Sequence, residues 1–340
     1  MDRVCTRATG SSPNSSPPSG LRSSIWDIDP HFWDVNAKRF PRGLAPLVEK
    51  AKQSGMKFGL WYAPDRSNDL TNWQRDAGRI LDLHQNSGVN YFKIDFVQVT
   101  SKTGEKNLHK FYDQVMRESQ GRIVLDLDVT AENRSGYFGA VEVGPLFVEN
   151  RYTDWHRYWP HQTLRNFWSL AQYVDPVRLR IEFLNNTRNS SVYPGDTLAP
   201  VYYRPAYLFA TTMFASPLGW FEVSNLPEKY VDEVAALVRI WKAHRERIHG
   251  GRIVPIGQTP DGTSWTGFAS IDEDRRRGYI LLFRERHPSS TMDVELPKFG
   301  KGEYKVATLA GNGAASLEQG RLKARINDAL DFLFLAVTAK

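Results

Sequence analysis

Two aspartates carry the chemistry this sequence could perform. Asp95 lies in the otherwise apolar run Tyr91-Phe92-Lys93-Ile94-Asp95-Phe96, and Asp154 closes the polar and aromatic stretch Phe147-Val148-Glu149-Asn150-Arg151-Tyr152-Thr153-Asp154. Two carboxyl groups flanking an acetal bond can cleave it with retention. One attacks the anomeric carbon, while the other protonates the leaving oxygen and later activates water. The first must stay ionised and the second must hold its proton, and their surroundings do that sorting. Lys93 stands two residues from Asp95, so in a strand both side chains share one face. An ammonium there favours the ionised carboxylate. Asp95 is therefore the candidate nucleophile and Asp154 the candidate acid/base, with Glu149 its rival. Plainer readings stand beside these: a buried Lys–Asp pair that locks a sheet interior, and a loop carboxylate that caps the next helix.

Such groups need strands that end where the chemistry is. From Gly43 onward, amphipathic helical segments alternate with short apolar strands. Leu44, Leu47, Val48 and Ala51 fall on one helical face before the strand Lys57–Trp61. The helix marked by Leu70, Trp73, Ala77, Ile80 and Leu81 precedes the strand Tyr91–Phe96. Further strands are expected at Ile123–Leu127, Leu146–Glu149, Arg180–Leu184 and Leu218–Val223, and a long helix at Val231–Trp241. Strand–helix alternation means a parallel sheet with helices outside. A doubly wound sheet and a (β/α)₈ barrel both fit. The placement of Asp65, Asp95 and Asp154 at or just after strand ends favours the barrel, whose catalytic groups come from the carboxyl ends of several strands. After Gly250 the helical period disappears, and short strands separated by Gly, Asn, Pro and Asp turns predict a small antiparallel β-sandwich.

Composition excludes several classes. The net charge is +6, but Arg275-Arg276-Arg277 directly follows Asp272-Glu273-Asp274, so no basic stripe marks a nucleic-acid partner. No apolar run is long enough to span a bilayer. Met1–Gly20 has no apolar signal-peptide core, and residues 1–24, rich in Ser and Pro, read as disordered. Cys5 is the only cysteine, and the eight His form no metal-binding spacing, so neither a disulfide within the chain nor a metal is expected. The chain has no phosphate-binding glycine loop, and no cofactor is expected.

The residues also carry a resemblance. Phe40-Pro41-Arg42-Gly43-Leu44 followed by Ser54-Gly55-Met56-Lys57-Phe58-Gly59-Leu60-Trp61 resembles a run typical of glycoside hydrolase clan D, with the melibiase-type family 36 the nearer match. Trp33-Asp34-Val35-Asn36 resembles its lead-in. Gly88–Asp95 is similar to the family strand whose Lys-x-Asp holds the nucleophile, and Arg151-Tyr152-Thr153-Asp154 is similar in position to the segment that supplies the acid/base. The resemblance covers about Trp33 to His249. It implies a TIM-type barrel and retaining cleavage of an α-linked terminal galactose in a glycoside or oligosaccharide. Trp61 and Tyr152 would form apolar walls. Asp65, Arg134 and Arg151 would hold sugar hydroxyls, and Lys93 would do so while keeping Asp95 ionised. The surroundings of Asp154 depart from the family's usual pattern, which keeps Glu149 in contention.

The family barrel has two strands before the Phe40 motif, and no such strands are expected here. The chain thus reads as a (β/α)₈ barrel lacking its first two strands (residues 25–249) plus a C-terminal β-sandwich (250–340). Transfer of galactose to a sugar acceptor, or sugar binding without catalysis, are the competing expectations.

Overall fold

A computed structural model describes residues 3–6, 31, 33–129, 140–148, 153, 156–296 and 299–340. The chain divides into two compact units, residues 1–147 and 148–340. The first unit holds β1 (Arg3–Thr6), α1 (Ala45–Gln53), β2 (Met56–Tyr62), α2 (Trp73–Ser87), β3 (Tyr91–Ile94), α3 (Lys102–Glu118) and β4 (Val124–Asp128), and β5 (Leu146–Val148) ends at its border. All paired neighbours among these strands are parallel. Parallel neighbours need a crossover between them, and α2 and α3 supply it with strongly one-sided apolar faces. Ala77, Ile80 and Leu81 of α2 and Leu108, Phe111 and Val115 of α3 are buried. Ser101 caps α3, its Oγ accepting from the Gly104 amide at 3.0 Å.

The second unit continues with α4 (Pro160–Leu170), β6 (Leu179–Phe183), α5 (Pro205–Ala210), β7 (Ser216–Gly219) and α6 (Glu228–Gly250). Within the first unit β1 to β5 follow one another in sheet order as in sequence, and within the second β6 pairs in parallel with β7. This arrangement fits a partial barrel. Beyond Gly250 come eight antiparallel strands: β8 (Arg252–Gly257), β9 (Trp265–Ile271), β10 (Arg277–Arg284), β11 (Thr291–Glu295), β12 (Tyr304–Gly311), β13 (Gly313–Glu318), β14 (Arg321–Ile326) and β15 (Asp331–Ala339). They form a five-stranded sheet, β12-β15-β10-β9-β8, and a three-stranded sheet, β11-β14-β13. The two share a core that includes Trp265, Ile280, Leu282, Leu322, Ile326, Leu333 and Leu335.

Four differences from the sequence expectation are informative. Residues 3–6, inside the segment expected to be disordered, pair in parallel with Met56–Gly59 and form a short strand that the sequence pattern does not predict. Arg-Val-Cys-Thr is too brief for a period-2 signal to stand out among Ser and Pro. Leu70 is buried but not helical. Asn68, Asp69 and Leu70 take successive left-handed conformations, and α2 starts only at Trp73. Strand β3 stops at Ile94, and β7 spans 216–219 rather than 218–223. Strands β8 and β13 were not expected, because Pro255 and the small residues Gly313, Ala314 and Ala315 mute the strand pattern.

Among the described residues, no helix is long and apolar enough to cross a membrane.

Candidate active site

The site grows from the register of β2, β3 and β4. Trp61 of β2 lies opposite Lys93 of β3, and Lys93 lies opposite Asp126 of β4. Side chains alternate along a strand, so Tyr91 and Lys93 share a face with Asp126 and Asp128. Two layers of polar contacts result. In the lower one the Tyr91 hydroxyl donates to Asp126 Oδ2 at 2.5 Å. In the upper one Lys93 Nζ bridges two carboxylates, at 3.1 Å from Asp95 Oδ2 and 2.9 Å from Asp128 Oδ2. The Lys93 ammonium also lies 4.4 Å from the centroid of the Phe147 ring on β5, a cation–π contact.

Asp95 itself sits one residue past its strand. Its amide still donates to the Tyr62 carbonyl at 2.9 Å, which extends the β2–β3 pairing by a step. Phe96 then turns into the left-handed region at φ 55°. Few residues without Gly's freedom adopt that conformation, and such strain concentrates at functional sites. Here it brings the Phe96 N–H onto Asp95 Oδ1 at 2.7 Å. Asp95 Oδ2 receives the Trp61 indole N–H at 3.0 Å as well as Lys93. Charge-assisted bonds of this kind favour an ionised carboxylate. Asp95 is 14% exposed, whereas Lys93 and Asp128 are 4% and 1% exposed, so the nucleophile candidate is the member of the trio that faces outward.

Aromatic rings frame this carboxylate. Trp61 meets Phe96 edge to face at 5.4 Å, and Trp33 lies 5.5 Å from Trp61 and stacks on Tyr62 at 4.5 Å. Asp34, beside Trp33, pairs with Arg79 of α2, which ties the lead-in segment to the helix.

Asp65 is buried in the β2–α2 loop, and its own loop uses both oxygens. Oδ1 accepts from the Ser67 amide and hydroxyl, and Oδ2 accepts from Asn72 at 2.7 Å and Arg75 at 2.9 Å. Burial pushes its carboxyl up, but the bonds from Ser67 and Asn72, with Arg75 behind them, more than offset this and hold it below the usual range. Asp76 of α2 completes the loop's anchorage, accepting from the Tyr62 hydroxyl and the Asp65 amide, each at 2.9 Å. Burial raises Asp76 to about 6 against the bonds that lower it.

Of the residues singled out in the sequence, Trp61, Lys93 and Asp95 meet directly, and Asp65 orders the adjacent loop. Arg134, Glu149, Arg151, Tyr152 and Asp154 lie outside the described residues. Sequence reasoning passed over Asp128, although the alternation Leu125-Asp126-Leu127-Asp128 was its signal. It also passed over Phe96 and Phe147, which carried none. Among the described residues no group of three or more His, Cys, Asp or Glu is arranged to hold a metal.

A carboxylate at the carboxyl end of a parallel strand, gripped by a lysine two residues earlier, invites comparison with solved enzymes. A family 36 α-galactosidase from Geobacillus stearothermophilus superposes over 90% of this chain with a TM-score of 0.67 at 12% identity. The fold is that of the family 36 α-galactosidases. The α-galactosidase of Lactobacillus brevis matches over 91% of the chain (TM-score 0.65, 12% identity), and that of Saccharomyces cerevisiae over 90% (TM-score 0.57, 10% identity). The chain spans 48% of the length of each of the two bacterial α-galactosidases and 85% of the yeast one. No protein-family model and no curated protein matches it.

Proposed function

We propose that the protein is a retaining α-glycosidase acting on terminal α-linked galactose. The observation that carries this reading is the Asp95 carboxylate at a strand end of an α-galactosidase fold, held by Lys93, Trp61 and the Phe96 amide. In the proposed reaction an Asp95 oxygen attacks the anomeric carbon as the glycosidic bond breaks. Asp154 gives its proton to the departing oxygen, with Glu149 the alternative donor. Water then attacks the glycosyl-enzyme ester, passing its proton to the same acid/base and freeing Asp95. Lys93 balances the charge of Asp95 and reaches a sugar hydroxyl. Trp61 and Tyr152 wall the sugar, and Arg134 and Arg151 bind its hydroxyls, in residues 25–249 read as the catalytic domain and followed by the sandwich domain. Asp65 belongs to this set through the loop it orders.

Oligosaccharides are the substrate class that the relatives suggest. The Geobacillus enzyme has been solved with raffinose and with stachyose, and the yeast enzyme with raffinose.

The purified chain is assayed on a panel of aryl α-glycosides beside Asp95→Ala. Turnover of the α-galactoside, lowered roughly 10⁴-fold or more in the variant, is the expected result. A cooperatively folded chain that cleaves no α-glycoside would overturn the proposal. Products formed with an added sugar acceptor separate hydrolysis from transfer.

A further inference from the structure

We propose that Asp128 is a positioning residue for the nucleophile and acts through Lys93. This rests on the reading of Asp95 as the attacking group. The exposures decide which partner does what. Asp95 is 14% exposed and able to meet a substrate, whereas Asp128 is 1% exposed and stands behind the ammonium. The lysine's shorter contact is to the hidden carboxylate, 2.9 Å against 3.1 Å.

A lysine ammonium is a compact charge on a flexible four-carbon stem, so one partner alone leaves it several ways to point. Asp128 from one side and the Phe147 ring at 4.4 Å remove that freedom. The Lys93 charge is then shared between two carboxylates and not spent on Asp95 alone. That arrangement holds the ammonium at a fixed place beside Asp95, where it favours the ionised carboxylate. The register supplies the geometry. Lys93 lies opposite Asp126, and Asp128 is the next residue on that face of β4, level with the end of β3 where Asp95 begins. A buried pair that merely stiffened the sheet would act on stability and would not be selective for the reactivity of Asp95.

The test measures covalent labelling of Asp95 by an α-galacto-configured cyclophellitol epoxide (the epoxide on the α face), read by mass spectrometry of the peptide that contains it. Asp128→Asn keeps the shape and one acceptor oxygen, so it is the primary variant, with Asp128→Ala beside it. Labelling is expected to slow by roughly tenfold to a hundredfold in Asp128→Asn, and further in the alanine variant. The probe concentration for half-maximal labelling should barely move. In a Lys93→Met background the same Asp128→Asn change should have no further effect. Labelling at the wild-type rate, or effects of the two substitutions that simply multiply, would overturn the proposal.

A second measurement is independent of glycosidase activity. Trace acylation of Lys93 relative to the exposed lysines should be suppressed in the wild type and about tenfold faster in Asp128→Asn; equal rates would show that Asp128 does not hold the lysine. A wild-type chain that no sugar probe labels, but whose Lys93 responds in this way, sinks the glycosidase reading and leaves the Asp128–Lys93 link intact.

Discussion

At the residue scale, Asp76 shows how the loop beside the site depends on pH. Burial raises its carboxyl from 3.8 to about 6, so the folded state holds this proton more tightly than the unfolded chain does. Its contribution to stability is therefore fully present below about pH 4 and is lost as pH rises through about 6. The difference amounts to about 3 kcal/mol at most. Asp76→Asn removes the titration while keeping both bonds, since its amide oxygen can take the Asp65 N–H and its NH₂ can donate to the Tyr62 oxygen. Urea unfolding at pH 4 and pH 7 checks this. The stability of the wild type minus that of the variant should fall by up to that amount between the two, and a constant difference would refute the assignment. The Asp95→Ala and Asp128→Asn experiments belong to this scale too, because each changes one polar group and leaves the strands in register.

At the element scale, two glycines test different constraints. Gly88 ends α2 in the left-handed region at φ 74°, its amide bonded to the His84 carbonyl. A Cβ there would only touch Val48 at 3.5 Å, so Gly88→Ala should cost about 1 kcal/mol through backbone strain alone. Gly144 leads into β5 with its Cα against β4, where a Cβ would stand 1.9 Å from the Leu125 carbonyl oxygen. Backbone cannot yield as a flexible side chain can. Gly144→Ala should therefore destabilise by clearly more than Gly88→Ala, and would displace the strand that ends in Asp128. Thermal or urea melts of the two variants decide the order, and equal midpoints would mean that the β4–β5 approach is softer than it looks. Glu285 gives a third case, since one buried oxygen gathers the amides of Asp261, Gly262 and Ser264 at 2.8–3.0 Å. Glu285→Ala leaves three donors without their acceptor and should cost roughly 3 kcal/mol in urea unfolding. Glu285→Gln should restore most of that.

At the scale of the whole molecule, the change from parallel to antiparallel structure at Gly250 is not where the compact units part. Within residues 148–340, Phe167 of α4 stacks on Phe268 of β9 at 4.2 Å, Phe214 packs against Phe268 and Phe334, and the Trp168 indole donates to the Ile256 carbonyl. The four phenylalanine rings are fully buried, so α4, the segment that follows α5 and the sandwich share one apolar interior. Phe268→Ala should cost about 3–5 kcal/mol. Hydrogen exchange should show α4 losing protection together with β9 and β10; loss confined to the sandwich would mean that the two parts unfold independently.

The strand–helix order and the Lys93–Asp95 pair were legible in the sequence, because a period of 3.6 against 2 and a charge set in an apolar run are local signals. The switch to short strands after Gly250 was legible for the same reason. The partner of Lys93 was not. Asp128 is 35 residues away from it, and only the register of β3 on β4 brings the two within 2.9 Å. The turn at Phe96, the engagement of both Asp65 oxygens by its own loop, and the seam at residue 147 were equally hidden. Local pattern fixes what each segment forms and which face it buries. Which buried charge meets which depends on strand pairing across long stretches of chain, and that was decided only by the tertiary structure.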